Sequence, residues 1–143
     1  MRESYSLLDS TEETGAQLSS PTKEGLVRAS AAALVELLGM GPFPEEEVKT
    51  VGLLIHGIGD TPEEQLADLL GHWVKLAAKR GVLPEIHGVS WDSSGIEAAV
   101  EIHEPDGSRS YATGIEAATC SGIEVTPPKH GGESWTARWV INR

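Results

Sequence analysis

The residues whose types and spacing could do chemistry are His56, Gly57, Ile58 and Gly59 in one run, with Ser90 and Ser93 further along. An apolar stretch, Val51 to Ile55, stops at His56-Gly57; Gly59 follows, and then Asp60-Thr61-Pro62 opens a helix. A strand that turns through glycines into a helix leaves several backbone N–H groups pointing into one small space. Oxyanions and other anions bind in such spaces. The glycines permit close approach and positive φ, and His56 would orient the loop. One donor of this kind contributes about 3–4 kcal/mol to acyl transfer. Ser90 and Ser93 are the candidate nucleophiles. The plainer reading of the same run is a tight strand-to-helix turn.

Other chemistries fit less well. Gly57-x-Gly59 lacks the third glycine of a dinucleotide fingerprint, because Pro62 takes that place, and no Gly-Lys-Ser/Thr follows for a phosphate loop. His56, His72, His87, His103 and His130 are scattered without a zinc-binding helix motif, so neither a metal nor a cofactor is expected. Cys120 is the single cysteine; it rules out an intramolecular disulfide and suits a reducing compartment.

Several elements must position these residues. Ser20-Pro21 is a helix start, and Val27, Ala31, Leu34, Val35 and Leu38 follow at helical spacing until Gly39. Val51–Ile55 has no alternation, which predicts a strand buried on both faces of a parallel sheet. Thr61, Pro62 and Glu64 form a capping box, and Leu66, Leu69, Leu70, Trp73, Val74 and Ala77 make one apolar stripe. Ile86–Trp91 is a second strand, so strand, helix and strand form a parallel crossover with its site at the strand ends. Ile96, Ala98, Val100 and Ile102 alternate, as do Tyr111, Thr113, Ile115 and Ala117, with Pro105-Asp106-Gly107 as the turn of a hairpin.

These elements predict an α/β fold. A strand-helix-strand crossover plus a β-hairpin forms a small mixed sheet with helices packed on it. Residues 1–20, poor in large apolar groups, are expected to be a loose tail. Residues 21–118 hold the domain. Residues 119–143 read as a loop-rich segment with room for one short strand, in which Trp135 and Trp139 either complete that strand or form an exposed contact.

A net charge of −11 without a basic cluster argues against nucleic acid and anionic membrane as partners. No apolar run nears the ~20 residues of a membrane span and no leader is visible at Met1–Ser10, so a cytoplasmic protein is expected.

The stretch VGLLIHGIGDTPEEQLADLL resembles the opening segment of α/β-hydrolases of the lipase and esterase kind, and more narrowly the bacterial hydrolase-like proteins with a His-Gly-Ile-Gly signature. The likeness covers residues 48 to 118. It implies an ester-hydrolase class, a small ester-like substrate and an oxyanion loop at His56, Gly57, Ile58 and Gly59. That family also needs a Gly-x-Ser-x-Gly elbow, and this chain has none. The expected product is therefore an incomplete or remodelled hydrolase-like domain. The alternative is a non-catalytic binding or assembly domain that meets a protein partner, or a second copy, through a sheet edge and the Trp135/Trp139 segment.

Overall fold

The computed structural model of the chain describes residues 3–9, 14–37, 49–80, 84–104, 119–129 and 132–142. In chain order the elements are β1 (Ser4–Asp9), β2 (Thr14–Ser20), α1 (Lys23–Leu37), β3 (Lys49–Gly57), α2 (Pro62–Arg80), β4 (Glu85–Asp92), β5 (Gly95–Glu104), β6 (Thr119–Thr126) and β7 (Trp135–Asn142). They form two antiparallel sheets, one ordered β1-β2-β7-β6 and the other β3-β5-β4.

The expected α/β class with a mixed sheet is therefore overturned: the fold is mostly β, with every pairing antiparallel. The crossover is the point of error. Strands β3 and β4, joined by α2, do run the same way, because both are antiparallel to β5. They are not neighbours, however; β5 fills the place between them. A helix can return the chain to a strand two positions away as readily as to an adjacent one, and nothing local in β3, α2 or β4 distinguishes the two.

The hairpin is also redrawn. Strand β5 turns back on β4 through Asp92-Ser93-Ser94-Gly95, where the Asp92 carboxylate accepts hydrogen bonds from the Ser94 amide and hydroxyl. These bonds hold the Asp92 carboxyl below its usual range. Gly95 takes φ +140, open to glycine alone. The second arm expected at Tyr111 to Ala117 lies outside the described residues.

The two ends of the chain meet in the first sheet. The segment 1–20 expected to be loose carries β1 and β2, and the segment 119–143 expected to be loop-rich carries β6 and β7. Gly15 to Ser20 of β2 pair with Trp135 to Val140 of β7. The short strand for which residues 119–143 left room is β7, whereas β2, with Ala16 and Leu18 set among Gly, Gln and Ser, gives no such signal; their pairing buries Ala16, Leu18, Ala137, Trp139 and Ile141 against the helices.

The helices bridge the sheets. Helix α1 packs on β1, β2 and β7 of one sheet and on β4 of the other; α2 packs on β3 and β5 and reaches β6. That placement explains the composition of α1, whose Gly25, Leu26, Val27, Ala29, Ser30, Ala31, Ala33 and Leu34 are buried nearly all round the helix. Small residues let two sheets approach one helix. Its N-cap is Thr22 rather than Ser20: the Gly25 amide donates to Thr22 Oγ1 at 3.1 Å, while Ser20 accepts from the Thr22 amide. Helix α2 instead buries one stripe, Leu66, Leu69, Leu70, Trp73, Val74 and Ala77.

Candidate functional site

The loop Ile58 to Thr61 joins β3 to α2, and α2 builds it. Thr61 Oγ1 accepts from the Glu64 amide at 3.1 Å, the first half of the expected capping box. The return bond goes one residue further back: Glu64 Oε2 accepts from the Asp60 amide at 2.7 Å. One turn on, Asp68 Oδ2 accepts from the Ile58 amide at 2.8 Å. The Ile58 amide of the candidate oxyanion loop and the Asp60 amide just beyond it thus already carry the chain's own carboxylates. A bound oxyanion would have to displace both, within a segment that also carries Asp60 and Glu63. Like charge at such short range opposes it.

Close packing accounts for the glycines. A Cβ at Gly57 would stand 2.2 Å from the Gln65 carbonyl oxygen, and one at Gly59 would stand 2.5 Å from Glu64 Cβ. Neither has a positive φ. The loop is pressed onto the first turns of α2, and this contact leaves no room for a side chain.

Gln65 is the hub of this region. It is buried, and its amide is used in full: Oε1 accepts from Trp91 Nε1 at 2.8 Å, while Nε2 donates to the Gly59 carbonyl at 3.1 Å and to the Ser93 carbonyl at 3.5 Å. One side chain therefore ties the glycine loop to the β4–β5 turn. Lys23 of α1 completes the corner, its Nζ lying 4.5 Å from the centre of the Trp91 ring and 5.7 Å from that of Trp135. Replacing Gln65 with leucine strands the Trp91 N–H and the Gly59 carbonyl in the interior. Its expected cost is about 3 kcal/mol, read as a shift in urea midpoint at constant slope; a change under about 1 kcal/mol would remove Gln65 from this role.

The remaining candidates fall on the outer face of the second sheet. His56 pairs in register with Glu97, and Glu97 with Ser90, so the three exposed side chains form one row across β3, β5 and β4. The acid lies between serine and histidine, which sit two strand spacings, or about 10 Å, apart. Attack by serine needs the base within hydrogen-bond reach of the hydroxyl, and this row separates them. Ser93 lies exposed in the turn and contributes its carbonyl to Gln65. The His56 carbonyl, rather than its ring, has a defined partner, His72 Nδ1 at 2.7 Å. Cys120 on β6 is partly buried, and that burial pushes its thiol up to about 12, so it is protonated and a poor nucleophile at neutral pH.

Two features were missed from the sequence. Glu85 and His87 of β4 meet Glu101 of β5, with His87 Nε2 at 3.8 Å from Glu85 Oε1 and 3.0 Å from Glu101 Oε2. The i, i+2 spacing of Glu85 and His87 was the available signal. The second is the edge of β3, where Leu54 (57% exposed) and Ile58 (68%) are the exposed large hydrophobics among the described residues. Leu54 reads as core by type and faces solvent by position.

No family model and no curated protein sequence matches this chain. Among the described residues, no helix is long and apolar enough to cross a membrane.

Proposed function

We propose that the chain is a non-catalytic binding domain that captures an extended, apolar and acidic peptide segment of a partner protein along the open edge of β3. The carrying observation is the groove beside that edge. It has a volume of about 520 Å³, an apolar floor that includes Leu54, Ile58 and Leu76, and a rim of His56, His72 and Lys75, with no carboxylate in its lining. On a chain of net charge −11, the lining itself carries one formal cation, Lys75, with the Asp68 carboxylate next to its rim at 3.7 Å from His72 Nε2.

Backbone groups support the same reading. The N–H and C=O of alternate residues in an antiparallel strand point to the same side. The His56 carbonyl turns toward α2, so those of Thr50, Gly52 and Leu54 also point away from β5. Among the described residues no strand lies beyond β3. Exposed edges are commonly guarded by lysine or proline; β3 has Lys49 at its start and nothing else of the kind. Strand addition uses such an edge, with alternate side chains giving the specificity. The cytoplasm is the setting proposed for it, in keeping with a lone cysteine held as a thiol.

The Trp135/Trp139 segment does not supply this surface, because β7 is an inner strand and Trp139 is fully buried. To test the proposal, a displayed library of random peptides is selected on the immobilised full chain. Enriched peptides should alternate apolar and acidic residues. The double variant Leu54→Glu/Ile58→Glu should bind them about tenfold more weakly or worse, with stability within about 0.5 kcal/mol of the parent, since both sites are exposed. Equal binding by the variant would refute the edge. A dimer in light scattering that the same variant abolishes, with no peptide enriched, would assign the edge to a second copy. Labelling of Ser90 or Ser93 by a fluorophosphonate probe would overturn the proposal in favour of ester hydrolysis.

A further inference from the structure

We infer that Glu85, His87 and Glu101 form a site for a divalent cation of the zinc class on the outer face of the second sheet. The donor atoms, one nitrogen and two carboxylate oxygens, all lie within 4.8 Å of one another. His87 Nε2 is the atom that faces both acids, at 3.0 Å from Glu101 and 3.8 Å from Glu85. Two ligands each about 2.1 Å from a zinc ion and at right angles to it are about 3.0 Å apart, and a wider angle brings them close to the second distance. One imidazole with two carboxylates is a donor set that suits zinc, and it leaves the ion's charge neutralised.

The backbone aims these side chains. Glu85 stands directly opposite Glu101 and Ile86 opposite Val100, but it is Gly88 that stands opposite Ala99. His87 is thus the extra residue of a β-bulge. Alternation from Glu85 already puts His87 on the same outer face; continued without a break it would also point Trp91 outward, and the bulge at His87 restores Trp91 to the core. Arg28 of α1 donates to the His87 carbonyl at 3.0 Å and fixes the bulge from the other side.

Glu85 and Glu101 stand directly opposite each other in the register, so a cation between them meets two carboxylates at once. Beside His87 and Glu101 lies an open depression of about 320 Å³ lined in part by Gly52 and Ala99. These small side chains leave room for the waters that would complete the coordination shell. The three ligands sit on β4 and β5 and none of them lines the groove at the β3 edge, although Leu54 borders both hollows.

Zinc chloride titrated calorimetrically into the full chain at pH 7 should bind with one equivalent, and cobalt should give the visible spectrum of a nitrogen-oxygen site. Loss of an outer partner of a metal ligand alone weakens binding 10–100-fold; His87→Ala and Glu101→Gln should each weaken it by about tenfold or more. All three side chains are at least partly exposed, so these variants fold. The competing pair is Asp68 and His72, one helical turn apart at 3.7 Å. Binding that persists in His87→Ala and vanishes in His72→Ala overturns the inference. If the trio is only a set of cross-strand ion pairs, His87→Ala shifts the melting temperature equally with and without zinc, and that result also overturns it.

Discussion

Trp139→Ala is expected to lower stability by about 3–5 kcal/mol, a large part of what a domain of this size has. The side chain is fully buried on an inner strand, and its Nε1 donates at 3.0 Å to Ser30 Oγ, itself buried on α1. Truncation leaves a void where the first sheet meets its helix and deprives Ser30 of its donor. A urea titration followed by the remaining tryptophans measures it. Trp135→Ala is the comparison. Trp135 is half-buried at the start of β7 and contributes mainly its contact with Lys23, so its loss should cost about 1 kcal/mol. An exposed C-terminal contact would behave oppositely: both variants would keep parental stability and only association would fall. That result would exclude the first sheet as described.

The second large effect is expected at Gly57. An added methyl group meets the Gln65 carbonyl oxygen at 2.2 Å and Leu69 Cβ at 2.9 Å. Neither can give way, because the first belongs to the helix backbone and the second to a fully packed side chain. Gly57→Ala should destabilise by about 3 kcal/mol. Its control is Gly52→Ala on the same strand, where nothing lies within 4 Å of the new Cβ. There the change should be neutral or slightly stabilising, since alanine loses less conformational entropy on folding. If the two variants are equally stable, the loop is not pressed onto α2 and an oxyanion-type role for its amides reopens.

The loop shows how far a short motif carries. Strand, glycine turn and capped helix were all legible in Val51 to Pro62, because each depends on residues within four positions of one another. What occupies the loop amides was not. Glu64 reads as the capping partner of Thr61, yet its carboxylate goes to the Asp60 amide; Asp68 carries no local signal, and only the placement of α2 against β3 brings it over Ile58. The same pattern that suggests an anion site is thus filled from within.

Strand β3 shows the opposite failure. Its unbroken apolar run suggested burial on two faces. The strand lies at the edge of a three-stranded sheet with one face on α2, so Val51, Leu53 and Ile55 are partly covered while Gly52, Leu54 and His56 are exposed. Residue type cannot separate a two-sided core strand from an edge strand with an apolar outer residue. At β4, the single bulge at His87 shifts the side-chain period by one, so that Glu85 and His87 face outward while Trp91, which plain alternation would place with them, is buried.

The sequence by itself determined the local elements: the capped start and apolar stripe of α2, the glycine turn before it, the helix at α1 and the alternating β5. These follow from contacts between near neighbours, where spacing along the chain is spacing in space. Only the tertiary structure decided which strands pair, that the two chain ends close one sheet together, which edge of β3 stays open, and that Glu85, His87 and Glu101 meet. Those outcomes depend on burying the sides of α1 and α2 between two sheets at once. The burial is summed over the whole chain, and no single stretch of it carries the answer.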